Sequence, residues 1–299
     1  MSFAPLNILP NEHYISWFVR QAHFQAFPNT THFLSKNGIV STSLKAYDVL
    51  HESIVGFLAI YSDQVDAICD HTLLPFWQLS VEKVLTPDDF INGGFLDIHH
   101  SSDEKTVFQF DRSWHSCPKC REEDIASYGS SYWHSKHQIP SVYKCFKHKA
   151  ILEKAYNPIH DLRTGTLPHQ VKHWHKLVSI ENEDVSNWNN FINTMVEKST
   201  TEPESLLGLK TKVHQVLGVD NMSVHQCLAY TDELTPRFES KLGIDLLSYL
   251  FKDYARTSNK GKPRILRSLF ARLGNPYKIR SPIYWLLLGY WLFPDELTI

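Results

Sequence analysis

Apolar residues at helical spacing flank a stretch of about forty residues in which no period persists, and three of the five cysteines fall inside that stretch. Those observations predict a mainly α protein with a small zinc-ribbon-like module set into it, a helical N-terminal region before the module and a helical C-terminal domain after it.

The N-terminal region is expected over 1–110. A helix is expected over 11–27, where Ile15, Phe18, Val19 and Ala22 form one stripe, Asn11 and Glu12 supply a start and Pro28 a stop. Within it, Trp17 should pack in the core, and Arg20 should pair with Glu12 or a backbone carbonyl. A second helix is expected over 43–60 and a shorter one over 62–69. DHTLLPFW at 70–77 is apolar and broken by Pro75, so it reads as a packed connection. TVFQFD at 106–111 alternates like a short strand.

The module is expected over 111–160. It reads Cys117-x2-Cys120, twenty-four residues, then Cys145-x2-His148. A two-residue gap lets one turn present both side chains to a single ion, and two such turns close a tetrahedron. The donors are soft or borderline, which suits Zn2+, and four of them leave no position for water, which makes the site structural. His115, His134 and His137 stand nearby as replacements for the fourth donor, but not at that spacing. Cys69 and Cys227 have no paired partner and read as core cysteines. His169, His173 and His175 form H-x3-H-x-H with no carboxylate or cysteine beside them, which weakens any reading of a second metal site.

The C-terminal domain is expected over 161–299, with a helix after ENED (181–184) through Trp188, Phe191, Ile192 and Met195, further helices at 206–217, 223–231, 235–252, 263–273 and 282–293, and a boundary near TTEPES at 200–205. The formal charge of −2 excludes a uniformly basic coat, so any nucleic-acid surface must be local. One segment qualifies. Lys252, Arg256, Lys260, Lys262, Arg264, Arg267, Arg272, Lys278 and Arg280 are accompanied by a single acid, Asp253. Arg264, Arg267 and Arg272 would line one side of a helix whose other side packs through Ile265, Leu269 and Leu273, a face suited to phosphate oxygens. Residues 210–230 resemble a helix-turn-helix, with Gly218 at the turn, Val213, Val216 and Val224 inside, and Ser223, His225 and Gln226 toward a groove.

No Gly-rich phosphate loop, G-x-S-x-G or H-E-x-x-H is present. No catalytic residue is assigned, and the chain reads as a non-enzyme. The cysteine usage points to a reducing compartment. The longest apolar stretch, 283–293, is short of the roughly 20 residues a membrane helix needs. The expected location is the cytoplasm, with no membrane partner.

Several motifs together resemble the TniQ/TnsD family of transposition target-selection proteins. They are Pro10, Glu12, Ser16, Trp17 and Arg20 in LPNEHYISWFVRQA, HTLLPFW at 71–77, the C-x2-C … W-x3-H … C-x2-H window through residue 152, and SPIYWLLLGYWLF at 281–293. The resemblance implies a bacterial adaptor that binds double-stranded target DNA and recruits a TnsC-like AAA+ ATPase. It carries the metal ligands onto Cys117, Cys120, Cys145 and His148. Other members of the family ride on an RNA-guided CRISPR complex, often as homodimers, and recruit the same ATPase there. TnsD-type proteins run on well past 299 residues, so the chain resembles a compact member or a piece of a longer one.

Overall fold

A computed structural model describes residues 6–39, 54, 57, 69–81, 83–84, 107–110, 113–155, 165–177, 182–220, 222–254, 264–271, 273 and 281–293. It is mainly helical and divides into two compact units. Residues up to 75 and 111–179 fall in the first unit, and 97–110 and 180–299 in the second.

In the first unit, α1 (Tyr14–Phe24) and α2 (Thr30–Lys36) pack together. Tyr14, Ile15, Trp17, Phe18, Val19 and Ala22 of α1 are buried, as the apolar stripe requires. Phe18 lies 6.2 Å from Phe33 of α2, and Phe57 closes on Trp17 at 5.7 Å and Phe18 at 5.6 Å. Asn29 caps α2 by accepting from His32 N at 2.8 Å. The helix expected over 11–27 starts later, because Asn11 takes a left-handed turn (φ 55°) and Glu12 bridges to His134. The chain passes toward the second unit through α3 (Leu74–Val81). The segment expected as a connection is thus partly helical: Pro75 sits in the first turn, where its missing N–H is not needed.

The rest of the first unit is a three-stranded antiparallel sheet of very short strands, β1 (His115–Ser116), β2 (Glu153–Ala155) and β3 (Trp174–Lys176), with α4 (Pro118–Tyr128) leading out of β1. No apolar stripe announces α4. Its signals are Pro118 at the first helical position and Gly129 in the left-handed conformation at its end.

The second unit is helical. It holds α5 (Glu183–Thr201), α6 (Leu209–Leu217), α7 (Val224–Leu242), α8 (Ile244–Leu250), α9 (Arg264–Phe270) and α10 (Pro282–Leu292). Apolar on every side, α10 is a core helix: Ile283 through Leu288 are at most 1% exposed, and α6 and α7 pack on it. Phe238 of α7 meets Phe270 at 5.4 Å and Trp291 at 5.2 Å. Asn182 caps α5, whose first turn carries Glu183 and Asp184 against the helix dipole. Gly243, between α7 and α8, has φ +77°, and a Cβ there would stand 2.3 Å from Asp184 Oδ2.

Three expectations change here. α7 runs unbroken through Pro236, where a break after 231 was expected. The strand at 106–111 reduces to one bridge, Phe108 to Phe251, flanked by bonds from Gln109 N to Leu250 O and Lys252 N to Val107 O. TTEPES ends α5 and turns through Pro203–Leu206, which packs back on α5 inside the second unit. The helices expected at 43–60 and 62–69 lie outside the described residues except for Ile54, Phe57 and Cys69.

Candidate metal centre

Two short turns bring four donors together. Cys117 is the N-cap of α4 and Cys120 follows in its first turn, so both sulfurs sit at the positive end of a helix. Cys145 and His148 lie on a tight hairpin closed by the Lys144–Ile151 bridge and by Cys145 N to Ala150 O at 2.8 Å. Lys149 takes φ 54° to complete that turn. The ligand atoms of Cys117, Cys120, Cys145 and His148 all lie within 4.8 Å of one another. The three cysteines are buried and His148 is half-buried.

The spacing tests whether a metal fits. A tetrahedral ion with sulfur at about 2.3 Å and nitrogen at about 2.0–2.1 Å sets S···S edges of roughly 3.8 Å and S···N edges of roughly 3.5 Å. Cys120 and Cys145 sulfurs are 3.7 Å apart. His148 Nδ1 stands 3.5, 3.3 and 3.7 Å from the sulfurs of Cys117, Cys120 and Cys145. These four of the six donor–donor edges match one tetrahedral ion, so the cluster could hold a metal.

The electrostatics agree. Hydrogen bonds from the Cys117 and Cys120 thiols hold the Cys145 thiol well below its ordinary value, and hydrogen bonding with Cys117 and then Cys145 pushes Cys120 up. Three sulfurs this close oppose one another's ionisation, and a dication at their centre removes the conflict. His148 Nε2 donates to Glu123 Oε1 at 3.0 Å, which leaves Nδ1 free to ligate. Lys147 holds the other Glu123 oxygen at 2.6 Å. These two hydrogen bonds, Lys147 first, keep the exposed Glu123 carboxyl below its usual range.

Around the site the module is held by polar and aromatic contacts. Arg121 pairs with Glu153 at 2.6 Å and lies 4.1 Å over the Trp174 ring. Trp133 stands between Trp114 at 5.5 Å and Trp174 at 5.8 Å. The N-terminal segment is stapled to the same place. His13 N donates to Trp133 O at 2.7 Å, Trp133 N to Ser16 Oγ at 2.9 Å, Ser135 N to Asn11 O at 2.9 Å and Tyr132 OH to Pro10 O at 3.1 Å. Trp17 Nε1 donates to Leu6 O at 2.8 Å, and Arg20 pairs with the buried Glu12 at 2.5 Å. Pro10, Glu12 and Ser16 therefore fasten the N-terminal segment to residues 132–134, while Trp17 and Arg20 hold that segment against α1.

Other candidates fall away from this cluster. His134 Nε2 pairs with Asp124 at 3.0 Å, and His115 Nδ1 donates to His137 O at 3.2 Å. His169 Nδ1 accepts from Ser131 N at 3.3 Å, while His173 and His175 are exposed. Cys227 is buried, and Cys69 is half-buried. Within the basic segment, Lys252 is exposed, Arg267 is half-buried on α9 and Arg264 begins that helix. Leu269 of that helix and Leu273 beyond its end are buried, while Ile265, the third residue expected on the packed side, is half-buried. Arg256, Lys260, Lys262, Arg272, Lys278 and Arg280 lie outside the described residues.

The helix-turn-helix reading needs correction. Gly218 does end α6 in the left-handed region, and Val213 is buried. Val216 and Val224, expected inside, are 56% and 58% exposed. Six residues separate α6 from α7, longer than the usual three- or four-residue turn.

A helical protein with a Cys3His cluster, its N-terminal helix bonded to the segment between the two donor pairs, is the class these observations define. The family model described as TniQ matches residues 5–152, which hold every signature residue, all four donors and Trp133. The chain belongs to the TniQ family and is a transposition-associated protein. No curated protein matches it. Among the described residues, no helix is long and apolar enough to cross a membrane.

Proposed function

We propose that the chain is a non-catalytic adaptor in transposition target selection, which binds target DNA and recruits a TnsC-like AAA+ ATPase. The TniQ match over residues 5–152 carries this reading. The metal in it is one structural Zn2+ on Cys117, Cys120, Cys145 and His148, because three thiolates and an imidazole in a closed tetrahedron suit that ion. The DNA contact in it is the basic segment, Lys252 to Arg280, acting on phosphates.

Binding of the full chain to duplex DNA across a salt series, beside co-sedimentation with the ATPase, tests it. The expected outcome is salt-dependent binding to both random and attachment-site duplex. Changing Arg264, Arg267 and Arg272 together to Ala should weaken every duplex alike and flatten the log–log salt slope by up to about 2.7, at about 0.9 per phosphate contact. Loss of ATPase association with DNA binding intact would make the segment a protein interface. Absence of DNA binding in the unaltered chain, with ATPase association kept, would favour an adaptor docked on an RNA-guided complex.

A further inference from the structure

We propose that His137 is a positioning residue for the metal site, its Nε2–H donating to the Cys120 thiolate from outside the tetrahedron. The inference rests on the metal reading above. His137 Nε2 lies 3.9 Å from Cys120 Sγ, and the side chain is 3% exposed. A fourth ligand would stand about 3.5 Å from all three sulfurs, as His148 Nδ1 does at 3.3–3.7 Å. Among the described residues, His137 comes within hydrogen-bonding reach of Cys120 alone. It is therefore placed behind one sulfur, not at the centre.

Two observations give that placement a purpose. His137 Nδ1 is buried with no hydrogen-bond partner among the described residues. Among the described residues the sulfur is then the one hydrogen-bonding contact of the ring, and an imidazole kept for packing alone would bury two unmet nitrogens. The turn carrying it, Ser135–Gln138, is also firmly held. Ser135 N donates to Asn11 O and Ser135 Oγ to Asp70 O, both at 2.9 Å. Gln138 Nε2 donates to His115 O and to His134 O at 2.9 Å, and Gln138 Oε1 accepts from His115 N at 3.0 Å. His115 Nδ1 donates to the carbonyl of His137 itself at 3.2 Å.

The chemistry fixes the tautomer. A metal-bound thiolate offers only lone pairs, so the shared proton belongs to His137 Nε2. Donation to the sulfur draws off part of its negative charge, which makes Cys120 slower to protonate and slower to react with electrophiles. Outer partners of this kind change metal affinity by about 10–100-fold when removed. The pattern W-x3-H thus acquires a second half: Trp133 packs, and His137 holds a ligand.

The test uses the full chain loaded with Co2+ for spectra and Zn2+ for release. His137→Phe keeps the ring and removes the donor, while His137→Gln places an amide N–H near the lost Nε2. The expected result is a sulfur-to-cobalt charge-transfer band moved to lower energy in His137→Phe, with release of Zn2+ to a chromogenic chelator about tenfold faster or more. His137→Gln should restore both. If His137→Phe does not fold, His137→Gln against His137→Leu serves the same contrast. Band and release rate unchanged in His137→Phe would overturn the inference, as would Phe and Gln variants altered alike. A wild-type chain that takes up no Co2+ would overturn the metal reading itself, a separate outcome visible before any variant is made.

Discussion

The two units solve the same problem differently. The second hides its polar backbone in helices and centres them on α10, whose residues Ile283 to Leu288 are at most 1% exposed. The first has strands of two or three residues and a core threaded with Glu12, His13, Ser16, His115, Ser131, Ser135 and His137, all buried. Apolar burial alone does not stabilise such a unit, because each buried polar group must find a partner. The cysteine cluster and the staples from Pro10, Asn11, His13 and Ser16 supply those partners. The second unit buries polar residues too, but Thr231 and Thr235 there bond carbonyls of their own helix at 2.8 Å, whereas in the first unit the bonds run between segments more than a hundred residues apart.

The largest expected effect separates the units by metal. Stripping Zn2+ with a chelator, or making Cys117→Ser with Cys120→Ser, should remove roughly 10–16 kcal/mol of apparent stabilisation from the first unit. Hydrogen exchange should then show lost protection in α1, α4 and the sheet while α10 keeps its own. Equal loss in α10 would mean the two units unfold as one, and the contrast would fail.

A smaller effect sharpens it. Trp17→Ala and Trp285→Ala each remove a side chain that is at most 1% exposed, and each should cost about 3–5 kcal/mol in denaturant unfolding. Repeating both in chelator should leave the Trp285 cost in place and abolish that of Trp17, whose surroundings are already lost. An unchanged midpoint for Trp17→Ala would make that residue a partner contact.

The smallest effect is a slope with pH. Burial raises the Glu12 carboxyl from 4.5 to about 7, against the lowering effect of Arg20. The folded state therefore binds a proton more readily than the unfolded state, and stability falls as pH rises from 4.5 to about 7. Glu12→Gln should flatten that fall in thermal melts at constant zinc saturation. Saturation must be fixed because acid weakens thiolate ligation in the opposite sense. An unaltered slope would place the titration elsewhere.

Much of this was legible in the residues. Two C-x2-donor pairs define a metal knot whatever lies between them, and the stripe on α1 and the all-round apolarity of 283–293 mark their helices. The burial of Trp17 followed from helical spacing, and the Arg20–Glu12 pair forms although Glu12 lies before the helix begins. What stayed hidden depends on residues distant in sequence. The alternation at Val107–Phe110 looked like a strand, but its partner lies some 140 residues on and supplies a single bridge. α4 has no stripe because its turns are held by Cys117, Cys120, Arg121 and Asp124, each bonded outside the helix. His137 was visible as a spare histidine and as the last residue of W-x3-H, but the place it takes was not, since that comes from a turn held by Asn11 and Asp70. Val216 and Val224 are apolar yet exposed, which no local pattern distinguishes from a packed position.

The staples between the N-terminus and the cysteine module have a consequence for synthesis on the ribosome. Ser16 bonds a residue 117 positions later, and Pro10 one 122 positions later. At about 5–20 residues per second, the emerging α1 waits roughly 6–24 s before its docking site exists. For most of that interval His13 has no Trp114 ring to pack on. The first helix made is thus among the last to be secured.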